Sequence, residues 1–236
     1  MEYKQSDKNS IKSLFNQVAK NYDRMNNFMS FGLQKRIKLL SVKNVIKKIN
    51  TDDNVKILDL CTGTGDIAIL FKKVLENCEV TGVDFSKEML SVAEKRTADI
   101  TFIDGDITNL ESLPIEKNCF DICFIGFGLR NLPDIDEFLE NIKEYLKPNG
   151  ILSILDLGKP AWFMKPYFYL HYEVFIPLLA LIFNREAKPY KYFINSSKTY
   201  PSQKEMMQKL KSHGYKNISN NNFSFGIISQ QTAEKL

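Results

Sequence analysis

The chain is predicted to fold as an α/β protein: a doubly wound, mostly parallel seven-stranded sheet with a terminal antiparallel strand and a helical insertion. Three observations carry this expectation. Short apolar runs of strand length alternate with helix-length runs between Lys56 and Leu157, and units of that kind place their strands parallel with helices on both faces. The first apolar run ends in a glycine turn, Asp59-Leu-Cys-Thr-Gly-Thr-Gly-Asp66, that opens a helix. The length of 236 residues, 44% of them hydrophobic, suits a single domain with a sizeable core.

Residues 13–27 and 34–49 read as helices; in the second, Ile37, Leu40, Ile46 and Ile49 recur at helical spacing between basic residues. Strand 56–60 leads through the glycines into helix 67–75, with Asp66 at the end where the helix dipole favours an acid. Strand 79–84 follows, then Ser86 as cap of helix 88–96. Strands 100–103 and 120–127 come next, then helix 134–146, which is expected to stop before the turn-forming Pro148-Asn149-Gly150. Strand 151–157 completes the alternation. After an aromatic-rich stretch to about Phe193, it resumes as helix 202–212 and a strand pair, 217–223 and 226–229. The whole of 1–236 is thus read as one domain, with 1–50 as an N-terminal helical lid and 160–195 as an aromatic helical insertion.

Composition excludes several classes. A net charge of +4 is too small to argue for nucleic acid. Two His and four Cys without a Cys-x-x-Cys pair argue against a metal site, and the cysteines read as buried thiols. No secretory leader is recognisable, and the charge-free part of the most apolar stretch, 174–183, is about half the length of a spanning helix. A cytoplasmic protein is expected, with contact at the inner face of the membrane left open.

In an open sheet of this type ligands bind outside the carboxyl ends of the strands. Gly63 and Gly65 let a ligand approach the backbone closely. Asp84, at the end of the second strand, is placed to accept both hydroxyls of a ribose. A lone glycine motif is weak, but strand, glycines, helix, second strand and terminal acid in order point to a nucleoside cofactor. Gly63-x-Gly65-x-x-Ala68 also satisfies the dinucleotide fingerprint, so an NAD-linked oxidoreductase is a competitor. Asp59 decides between them: nearby carboxylates repel a pyrophosphate, whereas the amino group of S-adenosylmethionine needs an acceptor. Asp106, beside the backbone of Ile107, reads either as acceptor for the adenine amino group or as a solvated turn acid.

The glycine turn resembles motif I of class I S-adenosylmethionine methyltransferases, which have a Rossmann-like fold. Three further strings are similar to the family that C-methylates demethylmenaquinol and the methoxy-benzoquinol precursor of ubiquinone. They are Val18-Ala-Lys-Asn-Tyr-Asp-Arg-Met-Asn26 with Met29-Ser-Phe-Gly32, then Phe127-Gly-Leu-Arg-Asn131, then Leu146-Lys-Pro-Asn-Gly150 leading to Leu157-Gly-Lys-Pro160. The resemblance implies cofactor contacts at Thr64, Asp84, Asp106 and Ile107. It adds one just before the Phe-Gly-Leu-Arg-Asn string, where the family's serine is here Gly126. Gly158 also stands where the family often has serine, and Gln231-Thr-Ala233 replaces its His-x-Gly.

Methylation at a ring carbon needs an adjacent phenolic hydroxyl to lose its proton, hence a proton acceptor and a donor facing the oxyanion. Read alone, Arg130 is a surface ion-pair residue, with Asp134 as partner; with the resemblance it becomes the oxyanion partner, and Asn131 fixes the hydroxyl. Asp23, His171 and a water held by Arg130 are the candidate bases. Tyr22 reads either as a lid over the methionyl end or as ordinary helix packing. Trp162, Phe163, Tyr167, Phe168, Tyr169, Tyr172, Phe175 and 176–183 offer apolar area for a prenyl tail, or a small core of their own. Lys35, Arg36, Lys38, Lys43, Lys47 and Lys48 form a basic helix, solvated or facing anionic lipid. The expected partner is a lipophilic quinol and not nucleic acid; a homo-oligomer is among the expectations, and no metal is expected.

Overall fold

The computed structural model describes residues 12, 13, 15, 16, 19, 22–175 and 196–236, and contains the expected sheet. Its strands are β1 (Val55–Leu60), β2 (Cys78–Asp84), β3 (Thr101–Asp104), β4 (Phe120–Gly126), β5 (Leu146–Leu157), β6 (Lys216–Phe223) and β7 (Ile228–Glu234), in the spatial order β3-β2-β1-β4-β5-β7-β6. The first five are parallel; β7 runs antiparallel to both β5 and β6. The chain winds outward from β1 through β2 and β3, then returns to β4 on the other side. The crevice for a ligand therefore opens at the carboxyl ends of β1 and β4.

Helices α1 (Tyr22–Met29), α2 (Leu33–Ile46), α3 (Asp66–Val74), α4 (Lys87–Arg96), α5 (Ile135–Asn141), α6 (Lys165–Leu170) and α7 (Gln203–Ser212) surround the sheet. One core joins α2 and α3 to the sheet through Ile37, Val42, Val45, Ala68, Phe71 and Phe124. The other joins α5 and α7 to the opposite face through Phe138, Leu139, Met206 and Leu210. Phe71 and Phe124 meet edge to face at 5.7 Å and both are fully buried, so truncating either would cost about 3–5 kcal/mol. Ser86 caps α4 by accepting from the Met89 N–H, as its position predicts, and Ser202 and Glu205 close a reciprocal capping box on α7.

Two boundaries differ from expectation. Helix 134–146 is shorter: α5 ends at Asn141, a 3₁₀ turn follows, and β5 already begins at Leu146. Pro148-Asn149-Gly150 is a bulge inside β5, with Asn149 left-handed at φ 63° and the register to β4 shifting between Phe120 and Ile122. Pro148 disfavours helix at Lys147, and the chain is already extended there as part of β5. The last strand runs to Glu234 rather than ending at Ser229. Its middle residues, Ser229, Gln230, Gln231 and Thr232, are polar yet buried. They are satisfied sideways: Gln230 Nε2 donates to Ser153 Oγ and the Ser41 carbonyl, and Gln231 Nε2 to Asn220. That pattern hides a buried strand from any apolar-periodicity reading. Residues 176–195, most of the predicted insertion, lie outside the described residues.

Candidate functional site

The turn after β1 is shaped by three left-handed residues: Cys61 at φ 55°, Gly63 at 57° and Gly65 at 80°. Gly65 is the N-cap of α3, where no side chain caps the helix. A Cβ at Gly63 would meet nothing within 4 Å, so this backbone faces open space where a ligand can lie against it. Phe127 is likewise left-handed, at φ 59°, and a Cβ at Gly128 would come within 2.5 Å of Cys61 Cβ. The turns after β1 and β4 are thus pressed together, and backbone strain of this kind collects where geometry is functional.

Above these turns lies a cavity of about 310 Å³. Tyr22, Gly63, Thr64, Asp84, Asp106, Ile107 and Gly126, all predicted as cofactor residues, line it, and so does Asn131. Asp59 and Gly65 do not; they sit behind the wall, Asp59 with 1% exposure. Asp59 is therefore not an open acceptor as the sequence suggested. Its Oδ2 accepts from Thr62 Oγ1 at 2.6 Å and the Ala68 N–H at 3.2 Å, bracing the glycine turn from below. Its Oδ1 is buried with no hydrogen-bond partner among the described residues. Burial pushes this carboxyl up to about 7, against the opposing pull of the Thr62 and Ala68 bonds.

Asp84 is buried too, and burial pushes it up to about 6, although the N–H groups of Ser86 and Gly63 both donate to it at 2.9 Å. Asp106 caps the turn Ile107–Ser112 by accepting from the N–H and the hydroxyl of Thr108. Four carboxylates, Asp66, Asp84, Asp104 and Asp106, line the cavity against two lysines, Lys12 and Lys38. Lys38 is committed to Asp66 at 2.9 Å. Although burial opposes it, Lys38 and Arg96 hold the Asp66 carboxyl below the usual range. An acid-lined cavity with an orphaned carboxylate oxygen beneath it fits the cationic methionyl end and the ribose of S-adenosylmethionine; it does not fit a diphosphate. Residues that would hold this cofactor are Gly63 and Thr64 at the turn, Asp84, and Asp106 with Ile107.

Gly126 has no room for the family's serine as it stands, since a Cβ there would come within 2.2 Å of Ile67 Cδ1. The end of the Ile67 side chain fills the space a serine Cβ would take. The cysteines are free; Cys78 and Cys123 are buried as predicted, whereas Cys61 and Cys119 are half-buried, and Cys61 lines the cavity.

A second, mostly apolar cavity of about 360 Å³ adjoins the first. Phe31, Ile37, Leu157, Met164, Phe168 and Phe225 are among its walls, and Tyr22, Gln34 and Phe127 line both cavities. Arg130 faces this second cavity rather than the cofactor side. Its predicted partner is wrong: Asp134 caps α5, while Arg130 Nη1 donates to Asp156 Oδ1 at 2.6 Å, the two side chains being 4% and 1% exposed. Asp156 Oδ2 also accepts from the Arg130 N–H, and Oδ1 from the Leu157 N–H. This is a buried, multiply bonded pair, not a surface one. His171 also lines the second cavity, stacked between Tyr167 and Phe175 at ring separations of 5.9 and 5.1 Å.

Asp23, a candidate base from the sequence, lines neither cavity. It accepts from Thr64 Oγ1 at 2.8 Å and pairs with Arg96 at 3.3 Å, fastening α1 over the glycine turn. Arg96 also donates to the Thr64 carbonyl and to Asp66. The basic helix is likewise not wholly solvated, since Lys38 is buried in the cofactor wall. Asp156, Arg96 and Gln34 are site residues that the sequence reading missed. Their signals were too plain: an acid inside a strand, the last residue of an amphipathic helix, and one glutamine in a basic run.

Fold and site together define an S-adenosylmethionine-dependent methyltransferase. Residues 2–235 match the model of the ubiE/COQ5 methyltransferase family, and the chain belongs to that family. It is 33% identical over 235 residues to a demethylmenaquinone methyltransferase of Bacillus licheniformis, a match covering 98% of this chain and 99% of that protein. A demethylmenaquinone methyltransferase of Staphylococcus aureus strain Newman is 32% identical over 235 residues, covering 98% and 95%. Among solved structures, a methyltransferase of Aquifex aeolicus aligns with a TM-score of 0.57 at 20% identity, over 85% of this chain and 93% of that one. Phosphoethanolamine N-methyltransferase 2 of Haemonchus contortus, solved with S-adenosylmethionine, aligns with a TM-score of 0.59 at 17% identity, over 82% and 52%. These last two likenesses concern the fold.

Proposed function

We propose that this enzyme transfers a methyl group from S-adenosylmethionine to a ring carbon of demethylmenaquinol, giving menaquinol. The observation that carries the reading is the pair of adjoining cavities, one acid-lined and one apolar, with Tyr22, Gln34 and Phe127 common to both. Full-length similarity to demethylmenaquinone methyltransferases supports the naphthoquinol over the benzoquinol nucleus.

When bound, the cofactor supplies an electrophilic methyl group, so the chain's own residues mainly align the acceptor and exclude water. Arg130, held rigid by Asp156, faces the ring oxygen as it loses its proton, and Asn131 holds the same region from the cofactor side. With Asp23 occupied as a latch, His171 and a water at Arg130 are the proton acceptors in this reading. Incubation with S-adenosylmethionine and chemically reduced demethylmenaquinol or methoxy-benzoquinol, read by mass spectrometry, tests it. Methylation of demethylmenaquinol with the faster turnover is expected; product from the benzoquinol alone, or from neither, would overturn it.

Phe31 and Phe225, in the wall of the second cavity, are exposed at 64% and 65%, and Trp162 and Leu170, which flank its wall residues Met164, Tyr167 and Phe168 in the chain, at 81% and 62%. Lys35, Arg36 and Lys165, next in the chain to the wall residues Gln34, Ile37 and Met164, are exposed too. Among the described residues no helix is long and apolar enough to cross a membrane. In our reading this rim rests on an anionic bilayer and takes the prenyl tail from it. Trp162→Ser with Phe225→Ser should lose at least half of the binding to anionic vesicles in co-sedimentation at low salt. Unchanged binding would count against this rim.

A further inference from the structure

We infer that Gln34 is a substrate-reading residue, whose side-chain amide hydrogen-bonds a ring oxygen of the quinol and sets the ring's position between the two cavities. This inference rests on the quinol reading above.

Its basis is the register of α2. Phe31 at φ 49° and Gly32 at φ 77° turn the chain sharply, and Gly32 is the N-cap of α2. The Ser30 hydroxyl accepts from the Gln34 N–H at 3.3 Å. This places Gln34 in the first helical turn, where positions i, i+3 and i+4 share one face. Those positions are Gln34, Ile37 and Lys38. Lys38 enters the cofactor cavity and binds Asp66, Ile37 lines the apolar cavity, and Gln34 lines both. A single helix edge therefore follows the boundary along which an acceptor ring must lie.

Of the three residues common to both cavities, Phe127 offers only a ring face and Tyr22 a single hydroxyl. Gln34 alone carries both a donor and an acceptor in one planar group. Its side chain is half-buried and makes no hydrogen bond with the described residues. Two polar neighbours of Gln34 are already engaged: Lys38 by Asp66, and Ser30 by the Asn27 carbonyl and the Gln34 N–H. A quinol ring bears two oxygens on opposite edges. With Arg130 and Asn131 on the β4 side, an amide on the α2 side can hold the other oxygen. Its carbonyl accepts from a hydroxyl, and its NH₂ donates to an oxygen that has lost its proton.

The test compares wild type, Gln34→Leu and Gln34→Glu with demethylmenaquinol carrying a short isoprenoid tail. Quinol affinity and S-adenosylhomocysteine affinity are read separately by calorimetry, and kcat and KM by product formation. Gln34→Leu, close in size but without polar atoms, should weaken quinol affinity about tenfold, the worth of one hydrogen bond left unmade. S-adenosylhomocysteine affinity should stay within about twofold of wild type, which also certifies that the variant is folded. Gln34→Glu should lower kcat more than it raises KM, because a carboxylate opposes the charge developing on the ring oxygen. Quinol affinity and kcat unchanged in both variants would overturn the inference while leaving the quinol reading intact. A wild type that binds S-adenosylhomocysteine but neither binds nor methylates the quinol would overturn both.

Discussion

Replacing Asp59 by Asn separates two roles of this buried carboxylate: a penalty to the unliganded fold and an attraction for a bound cation. In the folded chain burial raises its carboxyl from 3.8 to about 7. Between those values the folded state binds the proton more tightly than the unfolded one, so stability falls as pH rises through that window. The full penalty, at about 1.4 kcal/mol for each pH unit of displacement, is roughly 4 kcal/mol and is reached above pH 7. Asn carries no charge to bury and keeps an oxygen for Thr62 Oγ1 and the Ala68 N–H. Urea unfolding of the unliganded protein should therefore show Asp59→Asn gaining on wild type between about pH 4 and 7, with a constant gap above that. S-adenosylhomocysteine affinity should move the other way. Where the ligand's ammonium group favours ionised Asp59, wild-type affinity falls by up to about tenfold per pH unit below pH 7. The variant keeps only the dependence near pH 6 that belongs to Asp84. A stability gap that does not vary with pH, or identical affinity profiles for the two proteins, would refute the reasoning.

The buried pair Arg130–Asp156 predicts a non-additive pattern. Arg130→Ala strands a 1%-exposed carboxylate and should cost about 3–5 kcal/mol in urea unfolding. Arg130→Met with Asp156→Asn removes both charges and keeps an acceptor for the Leu157 N–H, so it should recover most of that loss, while both variants lose turnover; a double variant as unstable as the single one would contradict this. Asp23→Asn should cost less than about 1 kcal/mol of stability, its pair with Arg96 being partly exposed. By loosening α1 over the glycine turn it should nevertheless weaken S-adenosylhomocysteine binding severalfold, and an unchanged dissociation constant would remove Asp23 as a latch.

Much of the fold was legible because the parallel strands are short, largely apolar runs between helix-length segments, and because α4 and α7 announce their starts with Ser86 and Ser202. The misread parts share a physical cause. At Leu146 to Gly150 a proline and a left-handed asparagine normally mark a turn, but pairing with β4 absorbed them as a bulge. In β7 the side chains of Ser229 to Thr232 are buried by satisfying one another, so no apolar rhythm marks the strand. The site shows the same division. Gly63, Thr64, Asp84 and Asp106 belong to a linear motif or to strand ends whose place the topology dictates. Asp156 and Gln34 reach the site through pairing and helix register, and nothing near them in the chain says so. Asp59 was identified by position but misjudged in reach: it sits under the turn it was expected to look out from.

The central claim is transfer to carbon on a reduced quinone ring, and S-adenosylmethionine carrying a deuterated methyl group tests it most directly. After single-turnover reaction with demethylmenaquinol, fragmentation mass spectrometry would locate the label. The account predicts one labelled methyl on the ring carbon, formed with the quinol and absent with the oxidised quinone. A label on oxygen, or equal transfer to the oxidised ring, would contradict it.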